Sequence, residues 1–361
     1  MKNLNKKTAV VLFNLGGPDS LDGVAPFLFN LFNDKAIIGI PQPLRFFLAK
    51  LITARRVKKA QGIYKLIGGK SPLLDTTLEQ AHSLERELSF SGNFKVFVAM
   101  RYSNPRAKEV VKEVKKYEPN EIILLPLYPQ FSSATSASSI DEFKSFSYLF
   151  SKDVKIKTVC CYPAELDFIK SHSLLIKQII MKFHEKDLSE FRFLFSAHGL
   201  PQKLIDAGDP YVLQVEETTK KVVKNLAEIL QCEDKKIDFR ICYQSKVGPM
   251  QWTSPSLEHE VRKVALDKKI PVIIPIAFVS DHVETLVELD IEYKDLAVSL
   301  GVENYLRVPA LNLDGHFIRA LLEICKTVNL NDESEFFSGE KPQRFCTKKF
   351  KFCPNTNPCA A

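Results

Sequence analysis

The sequence predicts an α/β fold of two similar halves, each a four-stranded, mostly parallel sheet flanked by helices, with a short cysteine-bearing C-terminal extension. Two observations carry this. Short apolar, β-rich runs alternate with longer amphipathic stretches along the whole chain, the pattern of βαβ units whose sheet is covered on both faces. The ends of those runs also echo one another across the two halves, as a duplication would leave them. The candidate strands are residues 8–15, 94–101, 121–127 and 155–160 in the first half, then 191–196, 238–243, 271–279 and 305–308 in the second. The echo pairs VLFNLGGP at 11–18 with LFSAHGLP at 194–201, and IILLPLY at 122–128 with IIPIAF at 273–278. The expected domains are 1–160, with an apolar lip at about 26–59, and 161–312. A C-terminal helix and linker at 313–340 and a tail at 341–361 follow.

A chain of 361 residues, 45% hydrophobic and 26% charged, has material for one or two substantial cores and is too apolar for disorder. Its longest apolar stretch, around 272–279, is far short of the roughly 18 residues a membrane-spanning helix needs. The basic start lacks the small-residue cleavage site of a signal peptide, so a cytoplasmic protein is expected. The net charge of +7 is spread along the chain with no nucleic-acid recognition motif, so no nucleic-acid partner is expected. Eight cysteines in a reducing compartment point to metal ligands where they cluster.

Ligands of open parallel sheets collect beyond the carboxyl ends of the strands. Four stretches there stand out. His198, in the run Phe195–Pro201, leaves a strand among small turn-forming residues, and a neutral imidazole accepts a proton near cytosolic pH. A turn histidine that only caps backbone is the competing reading. Asp281, Glu284, Glu288, Glu292 and Asp295 recur at three and four residues, which lines their carboxylates along one helix face. Like charges so spaced repel unless a cation or protons relieve them, and with His282 they suit a divalent metal held weakly enough to be released. A solvated acidic face opened by an Asp281–Glu284 capping box competes with that reading. The third stretch, 243–252, carries the chain's one tryptophan, Trp252, in a Gly-Pro loop suited to a flat apolar ligand. The fourth, 100–105, carries Arg101, which suits a carboxylate partner, although a surface arginine is commoner.

Six strings, in order from near Val11 to near Asn312, resemble the ferrochelatase family: LGGP at 15–18, GGKSP at 68–72, YPQFS at 128–132, SAHGLP at 196–201, QSKVGPM at 244–250 and SDHVETL at 280–286. The resemblance implies two Rossmann-like domains of chelatase architecture with a porphyrin cleft between them. It implies an enzyme, a lyase of haem biosynthesis that inserts Fe²⁺ into protoporphyrin IX. By position, His198 resembles the active-site histidine and Glu284 its acidic partner across the macrocycle, both meeting the Fe²⁺ substrate. Asp281, His282, Glu288 and Glu292 continue the acidic track. Leu15, Tyr64, Tyr102, Trp252 and Phe278 fall at pocket positions, and Arg56, Lys59 and Arg101 near those that meet the propionates. The implied mechanism bends the porphyrin, with proton and metal handling on opposite faces of it, the strain being supplied by binding energy elsewhere.

The dense apolar residues from Phe27 to Leu48, followed by Arg55, Arg56, Lys58 and Lys59, resemble the family's hydrophobic lip. Such a surface suits a porphyrin and a peripheral contact with an anionic membrane at its inner face; a core-packed amphipathic helix competes with it. The tail ends in Cys346, Cys353 and Cys359, which resembles those ferrochelatases whose tail cysteines and one internal cysteine hold a [2Fe–2S] cluster. The internal ligand of the animal type would fall where this chain has Ser132 and Ser133. Cys160 and Cys161 are the substitutes, and because adjacent strand side chains point to opposite faces only one of them should ligate, with Cys161 the preferred choice. Zinc and an unliganded tail are the alternatives. Rival functions are a coproporphyrin ferrochelatase or another tetrapyrrole chelatase, and a non-catalytic haem or iron carrier. A dinucleotide enzyme is disfavoured because Gly16-Gly17-Pro18 is not the G-x-G-x-x-G turn. A homodimer stays open.

Overall fold

The computed structural model describes residues 6–246 and 248–356. The first half starts with the apolar run KTAVVLFN, which forms β1 (Lys7–Asn14), buried from Thr8 onward and therefore central in its sheet. A helical hairpin, α1 (Val24–Phe32) and α2 (Leu44–Lys65), precedes α3 (Leu73–Ser89) and β2 (Asn93–Met100). The helix α4 (Ala107–Tyr117) places Ala107, Val110, Val111 and Val114 on one stripe. That stripe packs with Val11, Phe13, Ile122 and Leu124 of the sheet, the spacing expected of an amphipathic helix over a core. Next come β3 (Glu121–Pro126), a π-helical turn at Ser133–Ala137, α5 (Ser138–Lys144) and β4 (Lys155–Cys161).

The second half continues with α6 (Leu166–Ile180), β5 (Phe191–His198), α7 (Gln202–Asp206), α8 (Tyr211–Leu230), β6 (Phe239–Gln244), α9 (Leu257–Leu266) and β7 (Ile270–Pro275). A π-helix at Glu284–Glu292 runs into α10 (Tyr293–Ser299), followed by β8 (Leu306–Arg307), α11 (Gly315–Leu330) and β9 (Phe336–Ser338). The chain divides into two compact units, Met1–Tyr162 with Leu321–Ala361, and Pro163–Ala320, so the division falls inside α11.

Both sheets are parallel and share one order. The first unit runs β2-β1-β3-β4-β9 and the second β6-β5-β7-β8, so in each the second strand of the half lies outside the first, then the third, then the fourth. Registers match too: Phe13 faces Pro126 across β1–β3, and Ser196 faces Pro275 across β5–β7. Two residues beyond these anchors stand Leu15 in one unit and His198 in the other. Each third strand is also followed by a π-helical segment. Shared order, register and π-segment are what a duplicated frame leaves behind.

The sequence reading needs three corrections here. The first sheet has five strands rather than four, because β9 adds beside β4. The C-terminal helix forms as α11 within the expected segment, but from Leu321 onward the chain groups with the first unit, which the expected domain limits did not foresee. That attachment includes buried Lys157, whose Nζ lies 2.6 Å from the Glu121 carboxylate and donates to the Val328 carbonyl at 2.9 Å. The apolar run 271–279 ends as a strand at Pro275, since the Ile276 amide still donates to the Ser196 carbonyl but the Phe278 amide turns back to Pro275.

Candidate active site

In the second unit, neighbouring strands of the sheet bring their carboxyl ends to one place, as the parallel topology dictates. His198 is the last residue of β5 and Gln244 of β6, and they are register partners. The loop after β7 leads to the π-helix with Glu284 and Glu288. His198 Nδ1 lies 2.9 Å from Glu284 Oε2, and His282 Nε2 lies 3.7 Å from the same oxygen. Gln244 accepts from Ser196 Oγ at 2.8 Å, while its Nε2 donates to the Glu284 carbonyl at 3.0 Å and to Glu288 at 3.1 Å. Ser245 donates to Glu288 through its backbone N–H at 2.8 Å and its hydroxyl at 2.5 Å. Gly199 lets the chain turn away: a Cβ there would stand 3.0 Å from the Gln244 carbonyl oxygen and 3.4 Å from the Trp252 ring.

The electrostatics follow from these contacts. Burial alone would lower the His198 pKa, but the Glu284 charge and hydrogen bond, with Glu288 behind, outweigh it and hold the imidazole above its ordinary value. Burial would raise Glu284, yet the charge and hydrogen bond of His198, with His282, hold it far below the carboxylate range. Glu288 is pushed up, by burial first and by the Glu284 charge, despite its bond from Ser245. Two carboxylates four residues apart are thus shifted in opposite directions, Glu284 downward and Glu288 upward.

Several predicted site residues stand elsewhere. Glu284 touches His198 directly, so the two lie on one side of any flat ligand; a 2.9 Å gap has no room for a macrocycle, and their expected placement on opposite faces is corrected. Asp281 leaves the acidic track, because Arg307 Nη1 donates to it at 2.8 Å and Asn312 Nδ2 at 2.8 Å. Glu292 is exposed at the far end of the π-helix, and Asp295 is exposed on α10. Phe278 is half-buried, its ring 4.9 Å from that of His282, and Trp252 is half-buried in a bridge to Pro201. Gln244, Ser245 and Arg307 had no assigned role in the sequence. For the first two the signal was position, directly after the strand beside His198.

In the first unit, Leu15 is half-buried just past β1. Arg101 and Tyr102 are already engaged. Buried Asp34 accepts from Arg101 Nη2 at 2.8 Å, Tyr102 Oη at 2.8 Å, Ser138 Oγ at 2.5 Å and the Ala36 N–H at 2.9 Å. Arg101 also pairs with Glu142 at 3.2 Å, and Tyr102 is 1% exposed, so both serve as anchors rather than free ligands for a propionate. Tyr64 is buried as well, while Arg56 and Lys59 are exposed on α2, Arg56 lying over the Phe32 ring.

The cysteines gather where β9 meets β4. The pairing shifts register between Val159 and Cys161, a bulge that breaks strict side-chain alternation. Cys160 and Cys161 Sγ consequently lie 3.6 Å apart, and of the two candidates it is Cys160, not the preferred Cys161, whose thiol meets Cys353. Cys353 also meets Cys346, and bonds from Cys160 and Cys346, with the Arg344 charge, lower its pKa well below the thiol range. Cys359 lies outside the described residues. Among the described residues no three His, Cys, Asp or Glu side chains form a single-ion site.

Comparison with known proteins is consistent throughout. A family model described as Ferrochelatase matches residues 7–328. A ferrochelatase of Rickettsia bellii (strain OSU 85-389) is 50% identical over 355 residues, covering 97% of this chain and 96% of that protein. One of Pelagibacter ubique (strain HTCC1062) is 48% identical over 354 residues, covering 97% and 99%. Among solved structures, SirB from Bacillus subtilis with Fe³⁺ has a TM-score of 0.52 at 13% identity, covering 91% of this chain and 97% of that one, a likeness of fold.

The Asp34 cluster sets a pH dependence. Burial raises its pKa, but the bonds from Ser138 and Ala36, the Arg101 charge and the Tyr102 bond together bring it below the ordinary value. A carboxyl lowered on folding contributes stability above its unfolded pKa and loses it as pH falls through the folded one. Asp34→Asn is expected to cost about 2 kcal/mol at pH 7, with the gap to the unsubstituted protein narrowing below roughly pH 4. Urea unfolding across that range checks it; a gap that is constant with pH contradicts it.

Proposed function

Because the chain belongs to the ferrochelatase family and is a porphyrin metal-insertion enzyme of haem biosynthesis, we propose that His198 and Glu284 manage the protons and the iron of that reaction. The observation carrying this is their 2.9 Å contact at the carboxyl end of the sheet. Porphyrin and Fe²⁺ give haem and two protons, so the site must accept protons while a dication arrives. With Nδ1–H directed at Glu284, the His198 Nε2 lone pair is left for a pyrrole N–H. Glu284 stabilises the imidazolium that forms and keeps the ring oriented, the role a carboxylate plays behind any catalytic histidine. Glu288, its pKa pushed up by burial and the Glu284 charge, is the next acceptor, and exposed Glu292, four residues further, leads toward solvent. Hard oxygen donors beside imidazole hold Fe²⁺ with moderate strength, which permits its release into the ring.

Protoporphyrin IX is the substrate we assign, with coproporphyrin as the rival. An anaerobic assay offering each porphyrin with Fe²⁺ separates them by which spectrum becomes haem-like. In the same assay His198→Ala and Glu284→Ala are expected to lose about 100-fold or more in turnover while keeping the native circular dichroism; near-normal turnover in both sinks the assignment.

We further propose that the tail cysteines hold a [2Fe–2S] cluster. Four thiolates shared over two irons need pairs of thiols rather than three donors around one point, and Cys353 meets Cys160 on one side and Cys346 on the other, both lowering its thiol pKa. These three would ligate, the fourth being Cys161 or Cys359, and the cluster would supply a cross-link between the tail and β4. Acid-labile sulfide and a visible chromophore in purified protein, both lost in Cys160→Ser and Cys353→Ser, are expected. A colourless protein without sulfide refutes the cluster.

The α1–α2 segment exposes Ile37, Leu44, Phe47, Leu48 and Leu51 beside exposed Lys50, Arg55, Arg56, Lys58 and Lys59. No described helix is long and apolar enough to cross a membrane. Apolar side chains among basic ones support a peripheral contact with anionic lipid. Sedimentation with anionic but not neutral vesicles is expected, and indifference to lipid charge removes this reading.

A further inference from the structure

A π-helix is rare and is mostly a single turn inside an α-helix. Here it runs for nine residues, Glu284–Glu292. Contacts from outside it must favour it over the α form. Gln244 Nε2 donates to the Glu284 carbonyl at 3.0 Å, and Tyr305 Oη to the Leu289 carbonyl at 2.8 Å. The third anchor is Arg307, the last residue of β8. Its Nε and Nη2 grip both oxygens of Asp290 at 2.7 and 2.5 Å, and its Nη1 reaches Asp281 at 2.8 Å. Asp281 is fixed in turn by Asn312, which donates through Nδ2 and accepts from the Asp281 backbone N–H at 2.9 Å. Asp281 precedes the π-helix and Asp290 lies in its last turn, so one largely buried guanidinium ties together the two ends of the segment that carries Glu284 and Glu288.

We infer that Arg307 is a positioning residue for iron insertion, a splint that keeps residues 284–292 in the π form and so keeps Glu284 on His198 and Glu288 on Gln244 and Ser245. This rests on the reading of Glu284 and Glu288 given above. In an α-helix, residues four apart are offset by about 40° around the axis; the wider i→i+5 turn changes that offset, so a return to the α form swings one carboxylate away from its partners. Arg307 also sorts charge. By taking up Asp281 and Asp290 it leaves Glu284 and Glu288 as the carboxylates met by imidazole and neutral donors alone. Without it, two further half-buried carboxylates would be unpaired, repelling the pair that handles the metal.

The test compares Arg307→Gln with Arg192→Gln. Arg192 is a matched control: at the opposite end of the same sheet it also bridges two aspartates, Asp238 at 2.8 Å and Asp267 at 2.6 Å. Arg307→Gln is expected to lower kcat/KM for Fe²⁺ by about 100-fold, as a misplaced reacting group does, with the porphyrin KM near its original value. Amide hydrogen exchange within 284–292 should rise about tenfold or more, with the strands β5–β7 unchanged. Arg192→Gln should lower Tm and leave kcat/KM for Fe²⁺ near its original value. Should Arg307→Gln fail to fold, Asp290→Asn releases one end of the splint and carries the same expectation in weaker form. Unchanged exchange at 284–292 in both variants, or a rise spread evenly over the unit, overturns the proposal. If Glu284→Ala inserts iron normally, the reading beneath it falls instead, while the exchange result still decides whether Arg307 holds the π-helix.

Discussion

An imidazole and a carboxylate in hydrogen-bond contact tend to settle into a quiet ion pair. His198 and Glu284 do stabilise each other's charged forms, yet neither is placed by the other alone. His198 is fixed by the last register position of a fully buried strand. Glu284 is fixed by a helix whose own geometry is unusual and is clamped from neighbouring strands. The contact between them is therefore imposed by backbone, and the rest of the second unit can be understood as what imposes it: β5 and β7 in register, Gln244 as a bracket between strand and π-helix, and Arg307 across the ends.

The same frame in the first unit carries different chemistry. Registers equate Leu15 with His198, and Arg101 with Gln244. In both units the residue at the second of these positions brackets the segment after the third strand, Arg101 through Ser138 and Gln244 through the Glu284 carbonyl. The first unit completes its bracket with a buried aspartate from the loop after α1; the second completes it with exposed-edge acids and a histidine. The shared frame thus carries its mechanical part twice and an imidazole once, since an apolar side chain stands at the position equivalent to the histidine.

Much of this was legible in one dimension. Strands were legible because buried parallel strands are continuous apolar runs, and their ends pointed to His198, Glu284 and Glu288 through a topological rule that needs no coordinates. What failed was whatever depends on a partner distant in sequence. Asp281 looked like part of an acidic stripe because its arginine lies 26 residues later on another strand. Arg101 and Tyr102 looked available because Asp34 lies 67 and 68 residues before them. The choice between Cys160 and Cys161 rested on strict alternation, and a bulge is the irregularity that alternation does not foresee. The fifth strand was missed for a related reason: three residues beside a polar tail have no periodicity to read.

The acidic stripe is the instructive case, for there the sequence posed the right question with too few terms. Repulsion among carboxylates at helical spacing does demand relief, and the structure supplies it by three routes. Asp281 and Asp290 share one arginine, which gives both a structural partner. Glu284 is met by an imidazole, a cation only while protonated, so its relief is conditional on that proton. Glu288 has neutral donors only, and burial with the Glu284 charge pushes its pKa up. Arginine, imidazole and neutral donors thus give carboxylates within ten residues of chain three different electrostatic settings, which their spacing alone does not reveal.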